Sequence, residues 1–249
     1  MESIRRRFDE VKDISPILEE IRSERLVDGA RSCAIIGCGY GELELAFIEQ
    51  CMPELETLTA VEPEAESVVE LKARIARQLP NVRSTVFEQA VESWAVSCDQ
   101  VFDVVVMFHC VTEIPEPERR PLFSRLLESL MKPGSLLLVV TRNGRLDGSQ
   151  TTDSRIAEAL TGRPYDDSKW YDDTRQLLQS IGFTVGYERR YVLHLNVENL
   201  DDAFFALQAH FCDEPTTLEH VEQVVRSVIG DDKWNRREMF FGLFRKPVV

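Results

Sequence analysis

The chain has 249 residues, of which 43% are hydrophobic and 29% are charged, as is typical of a soluble globular protein. Its net charge of −14 disfavours a nucleic-acid partner, because an acidic surface repels phosphate backbones. The sequence has no apolar run long enough to span a membrane, no secretory signal pattern in residues 1–8 and no C-x-x-C pair among its six cysteines. We therefore expect a cytoplasmic, monomeric protein with free thiols and with neither a membrane nor a nucleic acid as partner.

Hydrophobic periodicity predicts strands and helices that alternate along the chain. Residues 1–26 have apolar side chains at helical spacing, and Ser15-Pro16 predicts a division into two helices. The predicted strands are 33–36, 57–61, 83–87, 102–107, 135–141, 183–192 and 238–244, and the predicted helices are 42–51, 64–78, 116–130, 154–160, 174–181, 200–211 and 218–229. Continuous apolar strands between helices indicate an α/β sheet that is covered on both faces.

Three glycines, spaced by two, follow the first predicted strand. Gly37, Gly39 and Gly41 stand where a chain that turns sharply, or a ligand pressed against it, requires glycine. Their G-x-G-x-G spacing differs from the G-x-G-x-x-G of dinucleotide sites. It resembles the turn of S-adenosylmethionine (SAM)-dependent methyltransferases of the Rossmann-like class, although Ile35 stands where many of these enzymes have an acid. Plain packing is the alternative reason for such a turn.

Glu62 ends the second predicted strand, about 20 residues after the last of these glycines. A carboxylate at this distance is placed to accept hydrogen bonds from the two ribose hydroxyls of an adenosine. A helix-capping role beside Pro63 is the alternative. Together with the glycine turn, Glu62 predicts an adenosine site.

Four stretches of the chain resemble the histamine N-methyltransferase family, in the same order. They are residues 36–42, 61–66 and 171–183, and an insertion that contains 201–204 and 211–215. The resemblance implies a single small-molecule methyltransferase domain over 1–249. It would have a Rossmann-like seven-stranded sheet, an N-terminal helical cover at 1–29, and a helical insertion at 195–232 between strands six and seven as part of the substrate lobe. The implied cofactor is SAM, with S-adenosylhomocysteine as product, and we expect no metal.

The resemblance also implies which residues hold the cofactor. They are Gly37, Gly39, Gly41, Glu62, Gln89, Ala90, Met107 and Phe108. The pair at 89–90 follows the third strand, where the superfamily contacts the adenine, and the pair at 107–108 ends the fourth strand and would line the cofactor's other side. Ser67 stands where the family has a glutamine that contacts SAM, so that contact is not expected here.

His109 is the predicted catalytic residue, because it stands close to the place where the family has a glutamine against the substrate's imidazole. An amine must be neutral to attack, and an imidazole can take up its proton directly or through water. A hydrogen bond to the cofactor's carboxylate or to the chain is the alternative role. Further candidates for the pocket of a small-molecule acceptor are Tyr165, Trp170 and Tyr171, as an aromatic wall, and His194 and Arg237.

The last predicted strand leaves the class of acceptor open. Arg236 and Arg237 stand where the family has asparagines that hold the substrate, and arginines could instead grip an acidic acceptor. A carboxylate-bearing or hydroxylated metabolite is therefore the alternative to a small amine or imidazole. The departures at Ile35 and Ser67 also leave open a catalytically silent protein of this fold that acts as a regulatory partner.

Overall fold

The computed structural model describes residues 10–142, 152–163, 170–196, 216–229 and 234–248. Its α-helices are α1 (Glu10–Ser23), α2 (Glu42–Cys51), α3 (Ala65–Gln78), α4 (Val91–Ser97), α5 (Glu116–Arg125), α6 (Thr152–Thr161), α7 (Trp170–Ile181) and α8 (Leu218–Ile229). Its strands are β1 (Ser32–Ile36), β2 (Thr57–Val61), β3 (Arg83–Phe87), β4 (Phe102–Phe108), β5 (Met131–Arg142), β6 (Thr184–Asn196) and β7 (Trp234–Arg245). A 3₁₀ turn follows β4 at Val111–Glu113, and a π-helical turn, Leu126–Leu130, follows α5.

The seven strands form one sheet in the order β3-β2-β1-β4-β5-β7-β6. Strands β1 to β5 are parallel, with Ile36 opposite Val61 and Phe108 opposite Val140. Strand β7 runs antiparallel to β5, because the amide of Gly134, near the start of β5, donates to the carbonyl of Lys246, just after the end of β7. The predicted seven-stranded α/β sheet with flanking helices is therefore confirmed.

The middle of the sheet is the core of the protein. The residues of β4 from Val104 to Phe108 have no exposed surface, because helices cover both faces of the parallel strands. The Phe108 ring packs between those of Phe47 on α2 and Phe241 on β7, with ring centroids 6.2 and 6.0 Å away. This packing fixes the carboxyl end of β4, where the predicted catalytic residue follows.

The predicted break at Pro16 is wrong, because α1 continues through this residue. A proline inside a helix removes one hydrogen bond and costs about 3 kcal/mol. Burial of each large aliphatic side chain contributes about 1.5–3 kcal/mol in the opposite direction, and the helix buries Ile14, Ile17, Leu18 and Ile21. Tertiary packing therefore outweighs the local cost of the proline. The same helix is tied to β6 by the Tyr187 hydroxyl and the Arg189 guanidinium, which both donate to Glu20.

The chain folds into two compact units. One contains residues 14–141, 171–190 and 240–249, and the other contains 1–13, 142–170 and 191–239. In the second unit, α6 packs against α8, and Ile156, Ala157, Val221 and Val225 are buried. Helix α8 was predicted as part of the insertion, whereas the predicted helix 200–211 lies outside the described residues.

The five described cysteines are free thiols. Cys33, Cys38, Cys51 and Cys110 are buried and Cys98 is half-buried, whereas Cys212 lies outside the described residues. Within the described ranges, no helix is both long enough and apolar enough to cross a membrane. In the same part of the chain, no three histidine, cysteine or acidic side chains are grouped so that they could hold a metal ion.

Asp103→Asn is expected to lower the free energy of unfolding by about 1–3 kcal/mol near pH 7. The Asp103 carboxylate, at the amino end of β4, accepts hydrogen bonds from the amides of Arg31 and Ser32 and from the Lys132 ammonium, which lies 2.6 Å away. Partial burial alone would raise the pKa of Asp103, but these donors outweigh it and hold that pKa below its usual value. The stabilisation is therefore complete above the pKa of an unfolded aspartate, about 4, and is lost as the pH falls below it.

Urea unfolding of the wild type and of Asp103→Asn, at about pH 7 and about pH 3, measures this contribution. The difference in unfolding free energy between the two proteins is expected to shrink at the lower pH. The exposed Asp99 gives the matched control, and Asp99→Asn is expected to change stability by less than about 0.5 kcal/mol. A difference for Asp103→Asn that is the same at both pH values would contradict the assignment.

Candidate active site

The predicted cofactor residues lie at one edge of the sheet. Gly37 follows β1, Glu62 follows β2, Gln89 and Ala90 follow β3, and His109 follows β4. These four strands are parallel and in register, with Ile36 opposite Val61 and Val61 opposite Phe87. Ligands of open α/β sheets bind outside the carboxyl ends of the strands. The fold thus brings together, within one compact unit, residues that are far apart in sequence.

The glycine turn has a backbone that only glycine adopts easily. The φ angles of Gly37, Gly39 and Gly41 are 60°, 52° and 75°, all in the left-handed region. A Cβ atom on Gly37 would lie 2.4 Å from the Cβ of Cys110, and one on Gly41 would lie 2.5 Å from Cδ1 of Leu71. Packing against the protein is thus a real reason for the first and third glycines. The turn then starts α2, whose N-cap is Gly41.

Glu62 is fixed through both of its oxygens. The side chain is 7% exposed. Its Oε2 accepts a hydrogen bond from the Gly39 amide at 2.8 Å, and its Oε1 accepts one from the Glu64 amide, at the start of α3, at 3.1 Å. Each oxygen keeps a further lone pair, so the carboxylate can still accept from two hydroxyls. The remaining acceptor positions fit the two ribose hydroxyls of an adenosine. The bond to the amide of Glu64, the N-cap residue, lies just before α3, and no side chain of the described residues caps this helix.

Two carboxylates lie close to the thiol of Cys38, inside the glycine turn. Burial first, and then the charges of Glu44 and Glu62, raise the pKa of Cys38 well above its usual value. The thiolate is the nucleophilic form of cysteine, so a thiol that stays protonated does not compete for an electrophilic methyl group. Glu44 is 3% exposed and lies in the first turn of α2. Sequence reasoning did not single it out, and its position three residues after a glycine in an apolar helix was the available signal.

The residues after β3 occupy the predicted edge of the sheet. Gln89 is half-buried, and the exposed Ala90 is the N-cap of α4, a helix that the sequence did not predict. The Phe87 carbonyl accepts a hydrogen bond from the Glu62 amide at 3.0 Å, which ties the end of β3 to the backbone of Glu62. The contact of residues 89–90 with an adenine stays a prediction.

Met107 and Phe108 are placed differently from the other predicted cofactor residues. Both side chains have no exposed surface, and the Phe108 ring is enclosed by two other rings. A ligand at this edge can therefore contact these two residues only if the core opens. Their predicted role as a lining of the cofactor site stays a prediction, and their observed role is to pack the end of β4.

His109 has an unusual backbone conformation. Its φ angle is 61°, and among the described residues Arg25 is the other non-glycine residue with a positive φ. Its amide donates to the Val140 carbonyl at 2.8 Å, and its side chain is half-buried. Such conformations persist where the surrounding structure enforces them, and they cluster at functional sites. The sequence predicted His109 from its place after β4, and the backbone strain adds an independent reason to assign it a function.

The predicted aromatic wall is only partly described. Tyr171 is buried in the core, with its ring stacked 4.6 Å from that of Phe240 and its hydroxyl donating to Glu188. The structure therefore gives Tyr171 a packing role, and its contact with an acceptor stays a prediction. Trp170 is half-buried, and the Arg142 guanidinium lies 4.7 Å from its ring centroid.

The other acceptor candidates cannot be placed at side-chain level. Tyr165 lies outside the described residues. His194 lies in β6 and Arg237 lies in β7, but their side chains are outside the described part of the structure. The roles of these three residues stay predictions.

Part of the chain matches a known protein family. Residues 34–134, which include the glycine turn, Glu62 and His109, match the family described as "Methyltransferase domain". No curated protein sequence matches the chain. The family match thus covers the part of the chain where the cofactor residues were predicted, and not the part that would hold the acceptor.

Solved structures with a similar fold cover nearly the whole chain. A Bacillus halodurans C-125 protein assigned as a methyltransferase is 16% identical, with a TM-score of 0.60 over 92% of this chain and 98% of the other. The N-methyltransferase NodS of Bradyrhizobium japonicum WM9, solved with S-adenosyl-L-homocysteine, is 11% identical, with a TM-score of 0.52 over 92% of this chain and 87% of the other. The [4+2]-cyclase SpnF is 18% identical, with a TM-score of 0.54 over 94% and 82%.

A cyclase among these structures shows that the fold alone does not fix the reaction. The match to the methyltransferase domain is the more specific finding, because it includes β2 to β4, the glycine turn and the acidic residue after β2. Together with the seven-stranded sheet, this match supports a SAM-dependent methyltransferase.

Proposed function

We propose that this enzyme transfers the methyl group of SAM to a nitrogen of a small amine or imidazole. The observation that supports this acceptor class most is the position of His109, which is held in a left-handed conformation at the edge of the sheet that it shares with Gly37 and Glu62. The resemblance of several stretches to histamine N-methyltransferases gives histamine-like molecules as the first candidates.

The residues that would hold the cofactor are those of the glycine turn and Glu62. When bound, SAM supplies a sulfonium methyl group, whose carbon–sulfur bond breaks as the new carbon–nitrogen bond forms in line with it. Because the sulfonium is already reactive, the protein has mainly to align the cofactor with the acceptor and to exclude water. Glu62 suits the alignment of the cofactor, since two backbone amides fix its carboxylate before any ribose hydroxyl donates to it.

His109 would act on the acceptor's proton. A protonated amine has no lone pair with which to attack, and methylation of a neutral nitrogen leaves a positive charge that is relieved when a proton departs. An imidazole ring nitrogen can accept that proton, directly or through a water molecule, and pass it to solvent, which the half-buried side chain still reaches. The left-handed backbone would hold the ring in one position relative to the glycine turn, as proton transfer requires.

A carboxylate-bearing acceptor is the second candidate. Arg237, predicted for this role, lies in β7 and supports it, because an arginine can bind a carboxylate through two parallel hydrogen bonds. Among acceptors that differ only by a carboxylate, Arg237→Met is expected to weaken the binding of the acidic one alone if this candidate is correct.

The test of the proposed function is a transfer assay with methyl-labelled SAM. Purified protein is incubated with a pooled panel of histamine, other biogenic amines, histidine derivatives and small carboxylates, and mass spectrometry identifies the labelled product. Label on an amine or imidazole without a carboxylate would support the proposal, and label on a carboxylate-bearing member of the panel would favour the second candidate. Tight SAM binding without transfer to any member of the panel would count against both and would favour a silent regulatory protein.

His109→Asn is expected to lower kcat by about 10²- to 10⁴-fold, the range that general bases contribute, without a matching change in SAM affinity. Asparagine tolerates the left-handed region, so this variant removes the base while it keeps the backbone of the turn. Steady-state kinetics over a range of pH and calorimetric titration with SAM measure the two effects. A variant with an unchanged kcat and a raised KM would show that His109 binds the acceptor and does not act as its base.

A further inference from the structure

We propose that Cys110 is a positioning residue that fixes the glycine turn and His109 relative to each other. This inference rests on the proposed function, because it gives both parts a role in one reaction. Cys110 follows His109 directly and is 6% exposed. Its Sγ donates a hydrogen bond to the carbonyl oxygen of Ile36, at 3.1 Å, and Ile36 is the residue before Gly37.

The Cys110 side chain also sets the position of the glycine turn by contact. A Cβ atom on Gly37 would lie 2.4 Å from the Cβ of Cys110 and 3.1 Å from its Sγ. The cysteine side chain therefore packs directly against the backbone of Gly37. The Gly37 amide donates a hydrogen bond to the Val61 carbonyl at 2.8 Å, and Val61 is the residue before Glu62. The first glycine is thus held between Cys110 and the end of β2.

The same cysteine fixes the backbone of His109 from its C-terminal side. A non-glycine residue keeps a left-handed conformation only where the chain on both sides is constrained. On the N-terminal side, Phe108 is enclosed in the core, and the His109 amide is bonded to the Val140 carbonyl. On the C-terminal side, the bond from Cys110 to Ile36 provides the constraint.

The Cys110 side chain therefore contacts the end of β1 and also constrains the backbone of His109, the residue after β4. Methyl transfer needs the acceptor's proton-accepting group and the cofactor's sulfonium to keep a fixed geometry, and misplacement by about 1 Å can cost about a hundredfold in rate. The structure assigns this spacing to Cys110. Loss of its side chain is expected to loosen both parts together, whereas loss of an ordinary buried thiol is expected to reduce stability alone.

The test compares Cys110→Ala with Cys51→Ala. Cys51 is the matched control, because it is also a buried thiol that donates to a backbone carbonyl, that of Leu18 at 3.4 Å, but it lies at the far end of α2. Cys110→Ala is expected to raise the Kd for SAM by about tenfold and to lower kcat by at least about tenfold. The acceptor KM is expected to change little, and Cys51→Ala is expected to stay within about twofold of the wild type in each quantity.

Hydrogen exchange at the His109 amide gives a readout that needs no acceptor. In Cys110→Ala this amide, bonded to Val140 in the wild type, is expected to exchange about tenfold faster than in Cys51→Ala. Cys110→Ser keeps a donor for the Ile36 carbonyl, and its Kd for SAM is expected to lie within about threefold of the wild-type value. If Cys110→Ala does not fold, the serine variant decides: a folded Cys110→Ser with a Kd more than about tenfold higher would overturn the proposal.

The proposal is also overturned if Cys110→Ala and Cys51→Ala have the same SAM affinity and the same exchange rate at His109. Both quantities are measured without an acceptor, so they decide the role of Cys110 even if no acceptor in the panel is methylated. A wild-type protein that binds SAM but transfers no methyl group would contradict the proposed function. The coupling of Cys110 to the turn would still be supported by weaker SAM binding together with faster exchange in Cys110→Ala.

Discussion

Glu62→Ala is expected to weaken SAM binding by about a hundredfold or more while the protein remains folded. Hydrogen bonds to a charged group contribute about 1.5–3 kcal/mol each, and the variant loses a carboxylate that can accept from two ribose hydroxyls. It also leaves the amides of Gly39 and Glu64 without their present partner. Isothermal titration with SAM measures the affinity, and circular dichroism with thermal unfolding measures the fold.

Glu66→Ala is the matched control for this prediction. Glu66 is an exposed glutamate in the first turn of α3, four residues after Glu62, and its substitution is expected to leave the Kd for SAM within about twofold of the wild-type value. Glu62→Gln adds a second comparison, because it keeps the size of the side chain but replaces one charged acceptor by a donor. Unchanged SAM affinity in Glu62→Ala would remove the assignment of the ribose site.

Gly37→Ala is expected to lower the free energy of unfolding by about 2–5 kcal/mol and to abolish measurable SAM binding. The left-handed conformation alone costs an L-residue about 1–2 kcal/mol. The new Cβ would also lie 2.4 Å from the Cβ of Cys110, and relief of such overpacking typically costs about 1–3 kcal/mol more. The Cys110 sulfur donates a hydrogen bond to the Ile36 carbonyl, so the side chain cannot simply turn away. The backbone of the glycine turn therefore has to move.

Gly29→Ala separates the cost of the left-handed backbone from the cost of the steric contact with Cys110. Gly29 has a φ of 73°, and a Cβ at this position would meet nothing within 4 Å. Its substitution is therefore expected to cost only the roughly 1–2 kcal/mol of the backbone conformation and to leave SAM affinity unchanged. Urea unfolding of both variants gives the comparison. Equal losses of stability would show that the contact with Cys110 does not constrain the turn.

The sequence was sufficient to predict most of the sheet. The predicted strands 57–61 and 83–87 agree with β2 and β3 at both ends, and the predicted helix 42–51 agrees with α2. These elements have a strong apolar pattern with glycine or proline beside it, so local physics decides them. The start of β5 at Met131 instead of residue 135 was missed, because pairing of Met131 with Phe102 of β4, and of Gly134 with Lys246, extends the strand through a predicted turn.

The cofactor half of the site was predictable for a related reason. A glycine turn between a strand and a helix, and an acid at the end of the next strand, are local patterns with a set distance between them. In a parallel sheet the two patterns reach the same edge without further information, and the amide of Gly39 indeed donates to Glu62. Other predicted roles depend on the direction in which a side chain points, which no local pattern records. The ring of Tyr171 lies against Phe240 in the core, and its contact with an acceptor stays a prediction.

By itself, then, the sequence determined most of the strands and helices in their order along the chain, the glycine turn and the acidic residue, because short-range periodicity and spacing encode them. Only the tertiary structure decided the continuity of α1 through Pro16, the left-handed conformation of His109 and the contact of Cys110 with both Ile36 and Gly37. These features depend on contacts between residues that are far apart in the chain, such as Cys110 and Ile36, or on burial that outweighs a local preference. No pattern within a single element records such contacts, since they arise when the parallel strands place their carboxyl ends side by side.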